Sequence, residues 1–431
     1  MPFRGIRYNL EPIEDFSKVL TPPYDVISPQ DREKYYELHP HNIIRLILGK
    51  ELPDDNEHEN KYTRAARFLH NWLREGVFKR DICPSIYVYD QEFELEGRKF
   101  VRRGFISGVK LEEFGTGHIY PHEQTMPGPK EDRLKLIRAC KANLSPIFAL
   151  YPDNAIEGVL TDAVQHSSKA ITAFDEAGVK NCFWAIDDPA IIAKIQGLMK
   201  DKPLFIADGH HRYESALAYR NELKGKHGQE SAVDYIMMMC VSLNNPGLKI
   251  LPTHRVIKNL PASFSLEQFK TAIKDSFNVE NLGKDCNVHS LIKKLHQHAD
   301  KHAFGMYEGK EKRFYLLLLR NEIKSTLNQV QGWRHPEWKD LDVCILHDLI
   351  LDKYLGIKTD ENVKQDSIEY IQSEVEAVKL VNEGKYQLAF FHNPTLIEQV
   401  SRIASVRQKM PPKATYFYPK PLTGLVINSF D

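Results

Sequence analysis

The sequence predicts a fold of the α/β to α+β class, with a mixed-sheet core and a smaller α+β lobe. Strand-like and helix-like segments alternate between residues 146 and 223, a pattern typical of sheets covered by helices. Between residues 85 and 109, two segments of alternating apolar residues flank Glu96 and Gly97, which indicates an antiparallel hairpin. Residues 260–330 combine two helical patterns with two paired strands, which indicates the smaller lobe.

The periodicity of apolar residues and the turn signals between them predict the elements in order. Helices are expected at 30–38, 60–75, 130–142, 154–175, 189–199, 266–275, 288–298, 341–354, 371–383 and 395–404. Strands are expected at 86–93, 99–109, 146–151, 182–186, 204–207, 234–243, 248–251, 303–307, 313–319 and 387–392. Because 431 residues exceed a single hydrophobic core, we expect three segments. These are a core α/β region over 1–259, the small lobe over 260–330, and a C-terminal α/β segment over 331–431 that packs back on the core.

Composition narrows the functional classes. The chain has 58 Lys and Arg and 58 Asp and Glu, so its net charge is zero, and this balance disfavours nonspecific nucleic-acid binding. Its six cysteines stand singly, which favours a reducing compartment, and we expect a cytoplasmic protein. No apolar run reaches the length of a membrane span, and no signal peptide is evident. A small-molecule ligand is therefore the expected partner, while the oligomeric state stays open.

The most informative segment is residues 204–214, Leu-Phe-Ile-Ala-Asp-Gly-His-His-Arg-Tyr-Glu, which we call the signature segment. A buried strand is expected over Leu204 to Ala207, and Gly209 to Arg212 are expected at the corner where a helix begins. The first turn of a helix offers backbone N–H groups and a positive dipole, and Arg212 can grip a phosphate with two N–H groups. The segment therefore indicates a phosphate site. The alternative is structural: Asp208 caps the helix and Arg212 pairs with a neighbouring acid.

The signature segment resembles that of the domain-of-unknown-function family 1015, which in turn is similar to the ParB/sulfiredoxin-like superfamily. Further segments share the resemblance, at 22–28, 122–125, 132–134, 142–148, 251–255 and 412–420. The resemblance implies a ParB/sulfiredoxin-like core in which Gly209 to Arg212 hold nucleotide phosphates, as in ParB-type CTPases, sulfiredoxin and free-serine kinases. Sulfiredoxin chemistry is disfavoured, because His210 and His211 stand where it would need a thiol.

A second group of candidates lies in the proline-flanked loop at 120–127. Glu123 can serve as a general base or hold Mg²⁺, and His122 can donate to a phosphoryl oxygen or accept a phosphoryl group. Polar residues in such a loop are often only solvated, but the loop belongs to the segments that share the resemblance.

The remaining candidates each have a structural alternative. Asp208 can hold Mg²⁺ against a phosphate or can cap the helix. His211 is a candidate for catalysis and His210 for phosphate binding, although which of the two faces the ligand is open. Arg133 is a second candidate phosphate ligand, while its neighbour Asp132 can simply cap a helix.

Two further segments are ambiguous in the same way. His254 and Arg255 follow a predicted strand and can reach a phosphate or form an ion pair at the strand end. Lys413, Thr415 and Lys420 can lean over a phosphate, but a solvated edge strand explains them equally well, so they are not part of the predicted site.

The leading hypothesis is phosphotransfer on a small hydroxylated metabolite. By resemblance to free-serine kinases, serine or phosphoserine is the first substrate, with ATP or ADP and Mg²⁺ as cofactors. An enzyme is favoured, because an arginine, a helix N-terminus, a metal-holding acid and a base suffice for phosphoryl transfer. A phosphoserine-type phosphatase, which needs no nucleotide, is the first alternative. A ParB-like nucleotide-binding regulator is the second, although no helix-turn-helix pattern follows the signature segment.

Overall fold

A computed structural model of the chain describes residues 1–167, 171–224, 231–283, 285–323, 334–358 and 367–431. The chain divides into two compact units. Unit 1 comprises residues 1–121, 125–249 and 419–431, and unit 2 comprises residues 122–124 and 250–418. Within the described ranges, every helix is too short or too polar to cross a lipid bilayer.

Unit 1 is built on a mixed sheet of eight strands. In spatial order the strands are Ile119–Tyr120, Leu204–Asp208, Ile147–Tyr151, Tyr235–Ser242, Arg98–Lys110, Ile86–Leu95, Lys180–Ile186 and Ile171–Phe174. The first pair is parallel, as are the third and fourth strands, and the other neighbours are antiparallel. Short two-stranded pairs join Ile6–Tyr8 to Phe78–Arg80 and Ala142–Asn143 to Asn428–Ser429.

Helices bury their apolar residues against this sheet. The α-helices are Pro29–Leu38, Ile44–Ile47, Lys61–Arg74, Pro127–Cys140, Glu157–Gln165, Pro189–Met199 and His210–Leu223. Single 3-10 turns lie at Phe16–Lys18, Tyr24–Val26 and Ala232–Asp234. One apolar cluster joins sheet residues such as Val88, Ile206 and Met238 to helix residues such as Leu160 and Tyr213, and all five are fully buried. This core fixes the strand and the helix of the signature segment.

Unit 2 has its own antiparallel sheet of six strands. In spatial order these are Phe277–Asn281, Arg313–Leu319, Ala303–Glu308, Leu388–His392, His254–Ile257 and Ile368–Ile371. Its helices are Leu266–Ile273, Val288–Gln297, Pro336–Lys339, Asp342–Ile345, Glu374–Asn382 and Ile397–Ser405, with a π-helix at Leu346–Tyr354 and 3-10 turns at Ala299–Lys301 and Asn321–Ile323. Strand Lys249–Leu251 lies where the chain passes from unit 1 to unit 2, and strand Tyr416–Tyr418 belongs to unit 2.

The mixed α/β to α+β class predicted from the sequence is confirmed. The division of the chain differs from the three expected segments, since one sheet in unit 2 takes strands from residues 254–257, 260–330 and 331–431 together. The last residues, 419–431, return to unit 1.

Two predicted helices are partly wrong. The helix expected over 154–175 is confined to Glu157–Gln165 and is followed by strand Ile171–Phe174, while residues 168–170 lie outside the described residues. The helix expected over 371–383 begins only at Glu374, after strand Ile368–Ile371, with Ser373 accepting the N–H of Glu376 as its cap. In the first case a whole strand was included in the expected helix, whereas in the second only Ile371, the last strand residue, was.

Candidate functional site

The signature segment forms a strand, a glycine corner and a helix. Strand Leu204–Asp208 is followed by helix His210–Leu223, and Gly209 lies between them with a left-handed φ of 92°. This backbone conformation favours glycine. A Cβ at Gly209 would lie 2.9 Å from Nη2 of Arg212, so the guanidinium lies directly over the glycine. The corner therefore requires glycine for its backbone and for the position of Arg212.

Buried contacts fix the start of the signature helix. Tyr213 is fully buried and its hydroxyl donates to the carbonyl of Glu112 at 2.7 Å. Ser215 Oγ donates to the carbonyl of Lys130 on the neighbouring helix, Pro127–Cys140. Nε2 of His211 accepts the backbone N–H of Met126 at 2.9 Å, just before that helix begins. The first turn, with its positive dipole end, is thus held firmly against the rest of unit 1.

The carboxylate of Asp208 lies between two cations. Nη2 of Arg212 donates to Oδ2 at 2.8 Å, and Nζ of Lys420 donates to Oδ1 at 2.5 Å. The side chains of Lys420, Arg212 and Asp208 are only 9%, 11% and 12% exposed. Charge interactions are stronger in such a setting than at an exposed surface. Asp208 therefore holds both cations beside the N-terminus of the signature helix.

These contacts do not fit a magnesium ion resident on Asp208. Mg²⁺ demands near-octahedral oxygen ligands at about 2.0–2.1 Å, and each oxygen of this carboxylate already contacts a cation. In the part of the chain that the structure describes, no three His, Cys, Asp or Glu side chains are grouped to hold a metal ion. The carboxylate of Asp208 instead accepts hydrogen bonds from the positive side chains of Arg212 and Lys420.

Arg133 and Arg212 line one small cavity of unit 1. The cavity has a volume of about 50 Å³, room for a few water molecules, and is also lined by Asn143, Ser145 and Ser215. Arg133 itself is buried, and its Nη1 donates to the carbonyl of Ile47 at 2.8 Å. The structure thus brings the two arginines of the predicted phosphate site to the same cavity.

His122 and Glu123 belong to unit 2. His122 is fully buried, where its Nε2 lies 3.1 Å from Oγ1 of Thr415 and its carbonyl accepts the N–H of Met410. Glu123 is partly buried, and its Oε1 accepts the backbone N–H of Lys413 at 3.2 Å. Both side chains therefore have partners within unit 2, and the side chain of His122 lies in its interior.

Arg255 is the centre of a buried cluster in unit 2. Its guanidinium donates to Nε2 of His347 at 3.2 Å and to the carbonyl of Lys413 at 3.2 Å, and its Nη1 lies 2.7 Å from Nε2 of His392. Burial lowers the pKa of Arg255 to about 10. Burial and then the charge of Arg255 lower the pKa of His392 to about 4. At neutral pH the cluster is a charged arginine with neutral histidines.

His254 is also buried in unit 2, against the ring of Phe391. Burial, followed by His392 and Arg255, lowers its pKa well below the usual value for histidine. As expected, His254 and Arg255 follow a strand, Lys249–Leu251, and they open a further strand, His254–Ile257. Both side chains are buried there.

The structure divides the predicted site residues between the units. Unit 1 holds Asp208, Gly209, His210, His211, Arg212 and Arg133, and unit 2 holds His122, Glu123, His254 and Arg255. His210, for which the sequence left open whether it faces the ligand, is 4% exposed.

The predicted site left out Lys420, although Lys420 belongs to segment 412–420, one of the segments that share the family resemblance. It also omitted Arg102 and Gln91, two buried polar residues on neighbouring strands of the hairpin. No local pattern marks either residue as part of a site. The sequence offers one weak signal, which is that Arg102 lies inside a predicted strand with apolar residues. A charge buried in such a strand needs a partner.

Comparisons with known proteins give a family and distant structural likenesses. A conserved hypothetical protein from Pyrococcus furiosus is 12% identical, with 75% of this chain and 95% of that chain covered and a TM-score of 0.36. A free serine kinase variant in complex with ADP is 11% identical, with coverage of 72% and 87% and a TM-score of 0.36. SbnI from Staphylococcus aureus, truncated at its C-terminus, is 12% identical, with coverage of 74% and 85% and a TM-score of 0.35. No curated protein matches the chain.

The protein thus has a mixed α/β fold. At its strand–glycine–helix corner, the carboxylate of Asp208 contacts both Arg212 and Lys420. The chain belongs to the family described as protein of unknown function DUF1015, whose model matches residues 1–344.

Proposed function

We propose that the chain binds a phosphate group at the corner formed by Gly209 to Arg212 and catalyses phosphotransfer on a small hydroxylated metabolite. The observation that carries this proposal is the placing of Arg212 over Gly209 at the N-terminus of the signature helix. Backbone N–H groups and the dipole of such a helix attract an anion, and an arginine adds directed N–H donors.

The phosphate is proposed to come from a nucleotide, ATP or ADP, and serine or phosphoserine is the first metabolite to test, as the resemblance of the signature segment to the superfamily implies. Phosphoryl transfer requires mainly positioning and neutralisation of charge. Because Asp208 contacts two cations, any Mg²⁺ is proposed to arrive with the phosphates of the nucleotide.

Glu123 is proposed separately as a general base. Its support is its own setting in unit 2, where one carboxylate oxygen is oriented by the N–H of Lys413. A base must be held in a defined orientation to accept a proton efficiently. His122, which is buried against Thr415, is assigned to supporting this loop within the same proposal.

The test is phosphorus NMR of the purified chain with Mg²⁺, in mixtures of serine with ATP or ADP and of phosphoserine with and without ADP. Phosphate moving between serine and a nucleotide would support a kinase, and inorganic phosphate released from phosphoserine alone would support a phosphatase. Arg212→Ala is expected to weaken binding of the phosphorylated compound by about tenfold or more, since a charge-assisted contact is lost. Glu123→Gln is expected to abolish turnover with binding retained.

Nucleotide binding without turnover in every mixture would favour a nucleotide-binding regulator. A wild-type chain that binds neither nucleotide nor phosphoserine would contradict the proposal. Retention of most activity by the Glu123→Gln variant would remove Glu123 from the role of base while leaving the phosphate site in place.

A further inference from the structure

The C-terminal end of the chain returns to the large sheet of unit 1 and is held there by buried polar side chains. Arg102 donates to the carbonyl of Pro419 and to Oε1 of Gln91. Gln91 in turn donates from Nε2 to the carbonyl of Lys420 at 3.0 Å. Arg102 and Gln91 are paired on neighbouring strands, and both are fully buried. The consecutive carbonyls of Pro419 and Lys420 thus each accept a hydrogen bond from a buried side chain of the sheet.

Arg102 is positioned by its surroundings in the core. Its guanidinium lies 4.7 Å from the centre of the Phe148 ring, a cation–π arrangement. Burial lowers its pKa to about 10, while Tyr89 and the carboxylate of Asp208 act in the opposite direction. Arg102 therefore stays charged at neutral pH, and its charge is felt at Asp208. Burying a cation costs free energy unless hydrogen-bond partners and opposite charges compensate for the lost water. The contacts of Arg102 with Gln91, Pro419 and Phe148 supply this compensation.

The result of this arrangement is the location of Lys420. Its ammonium contacts one oxygen of Asp208 while Arg212 contacts the other. The side chain of Lys420 is 9% exposed, so its position is set by packing and by the fixed carbonyls at 419 and 420. Within unit 1, two cations therefore flank a single carboxylate next to the glycine corner. Arginine binds phosphate with directed donors, and lysine binds it as a compact point charge.

We propose that Lys420 and Arg212 together neutralise a phosphate group bound at the corner, and that Asp208 holds these two cations and not a magnesium ion. In this arrangement Lys420 contacts the phosphate, and Arg102 and Gln91 are positioning residues that act through the backbone of residues 419 and 420. This inference rests on the proposed function, because it assumes a phosphate at the corner. Beyond the proposed function, this inference assigns Lys420 as the second cation and states that Lys420 and Arg212, without a metal ion, neutralise the charge of the phosphate.

The experiment is calorimetric titration of the full chain with AMP and with phosphoserine, two phosphate monoesters, in buffer containing either EDTA or Mg²⁺. The variants are Lys420→Gln, Lys420→Arg, Arg212→Ala and, as a matched control, Lys194→Gln. Lys194 is an exposed lysine on helix Pro189–Met199, so its variant makes the same change in net charge elsewhere in unit 1. Thermal unfolding of each variant shows whether it is folded.

We expect Lys420→Gln to weaken binding by about tenfold or more, and Lys420→Arg and Lys194→Gln to remain within about threefold of the wild type. Binding is expected to be the same in EDTA and in Mg²⁺. Wild-type affinity in a folded Lys420→Gln variant, with binding lost in Arg212→Ala, would overturn the role of Lys420 and leave the proposed function intact.

Two other outcomes bear on the metal and on the site. Binding that occurs in Mg²⁺ and disappears in EDTA would overturn the metal-free neutralisation. A wild-type chain that binds neither monoester under either condition would overturn this inference together with the phosphate site of the proposed function. Should Lys420→Gln fail to fold, Lys420→Met together with salt dependence of the wild-type affinity provides the test, since a phosphate site of two cations must weaken as salt rises. Affinity that does not change with salt would overturn the inference.

Discussion

At the scale of single residues, unit 1 holds buried charges in place with specific partners. Arg133 donates from Nε to Asp132 at 2.9 Å, and its guanidinium lies 3.9 Å from the centre of the Tyr24 ring. Tyr62 and Lys61 also contact Asp132. Burial opposes ionisation of Asp132, but these three partners outweigh it and lower its pKa to about 2. The ionised carboxylate is therefore stabilised by folding.

We predict that Asp132→Asn removes a pH-dependent part of the stability. In the unfolded chain the pKa of Asp is about 3.9. A carboxyl whose pKa is lowered by folding stabilises above the unfolded pKa and loses that contribution as pH falls towards the folded pKa. The difference in free energy of unfolding between wild type and variant should include a part of roughly 2 kcal/mol at pH 6 that vanishes between about pH 4 and pH 2.

Urea unfolding at pH 6.0, 3.5 and 2.5 measures this difference, with Asp201→Asn as the control, because Asp201 is an exposed acid of unit 1. A difference for Asp132→Asn that stays constant over this range would contradict the prediction.

At the scale of elements, the signature corner combines a backbone requirement with a site requirement. Gly209 has a positive φ, and its missing Cβ leaves space for the guanidinium of Arg212. The helix after it has no side-chain cap at Gly209. Its first turn is held by contacts of Tyr213, Ser215 and His211. Packing therefore holds the signature helix in place while no side chain of Gly209 caps its N-terminus. Backbone N–H groups at such an N-terminus can donate hydrogen bonds to an anion.

We predict that Gly209→Ala destabilises the chain by about 1–2 kcal/mol, because an alanine in left-handed conformation is strained. The same variant should weaken binding of AMP, since the added Cβ displaces Arg212. Gly197→Ala is the control: Gly197 lies within helix Pro189–Met199 with no atom near the added Cβ, so about 0.5–1 kcal/mol of stabilisation is expected. Calorimetric melting and AMP titration measure both effects. Unchanged AMP affinity in Gly209→Ala would show that the position of Arg212 does not matter.

At the scale of the whole molecule, unit 1 is completed by residues from both ends of the chain. The backbone of Ile6 exchanges hydrogen bonds of 2.9 Å with that of Ile427, and strand Asn428–Ser429 pairs with Ala142–Asn143. Ile427 is fully buried. The last residues are therefore part of the core of unit 1, and the same segment carries Lys420.

We predict that Ile427→Ala destabilises the chain by about 2–5 kcal/mol, the usual cost of a cavity at a buried isoleucine. Ile82→Ala provides a control with the same chemistry in the same unit, because Ile82 is 83% exposed. A change within about 0.5 kcal/mol is expected there. Denaturant unfolding measures both, and equal effects of the two variants would show that the C-terminal residues do not contribute to the core.

Much of the local structure was predictable because its causes are local. The strand, glycine and helix of the signature segment follow from an apolar run, a residue that tolerates positive φ, and helical spacing. The errors occur where two short elements adjoin, as at Ile171–Phe174, whose four residues carry too little periodicity to stand out from the preceding helix. Strand His254–Ile257 was also missed; it has only four residues, and two residues separate it from strand Lys249–Leu251.

By itself the sequence determined the mixed α/β class, the family and the glycine corner with its arginine. Only the tertiary structure decided which residues surround that corner. Lys420 contacts Asp208 across 212 positions of the chain, and no local pattern encodes a contact at such separation. The same holds for Arg102, whose place beneath the C-terminal segment depends on the pairing of distant strands. Local propensities act over a few residues, whereas a site is assembled by the burial of segments that lie far apart in sequence.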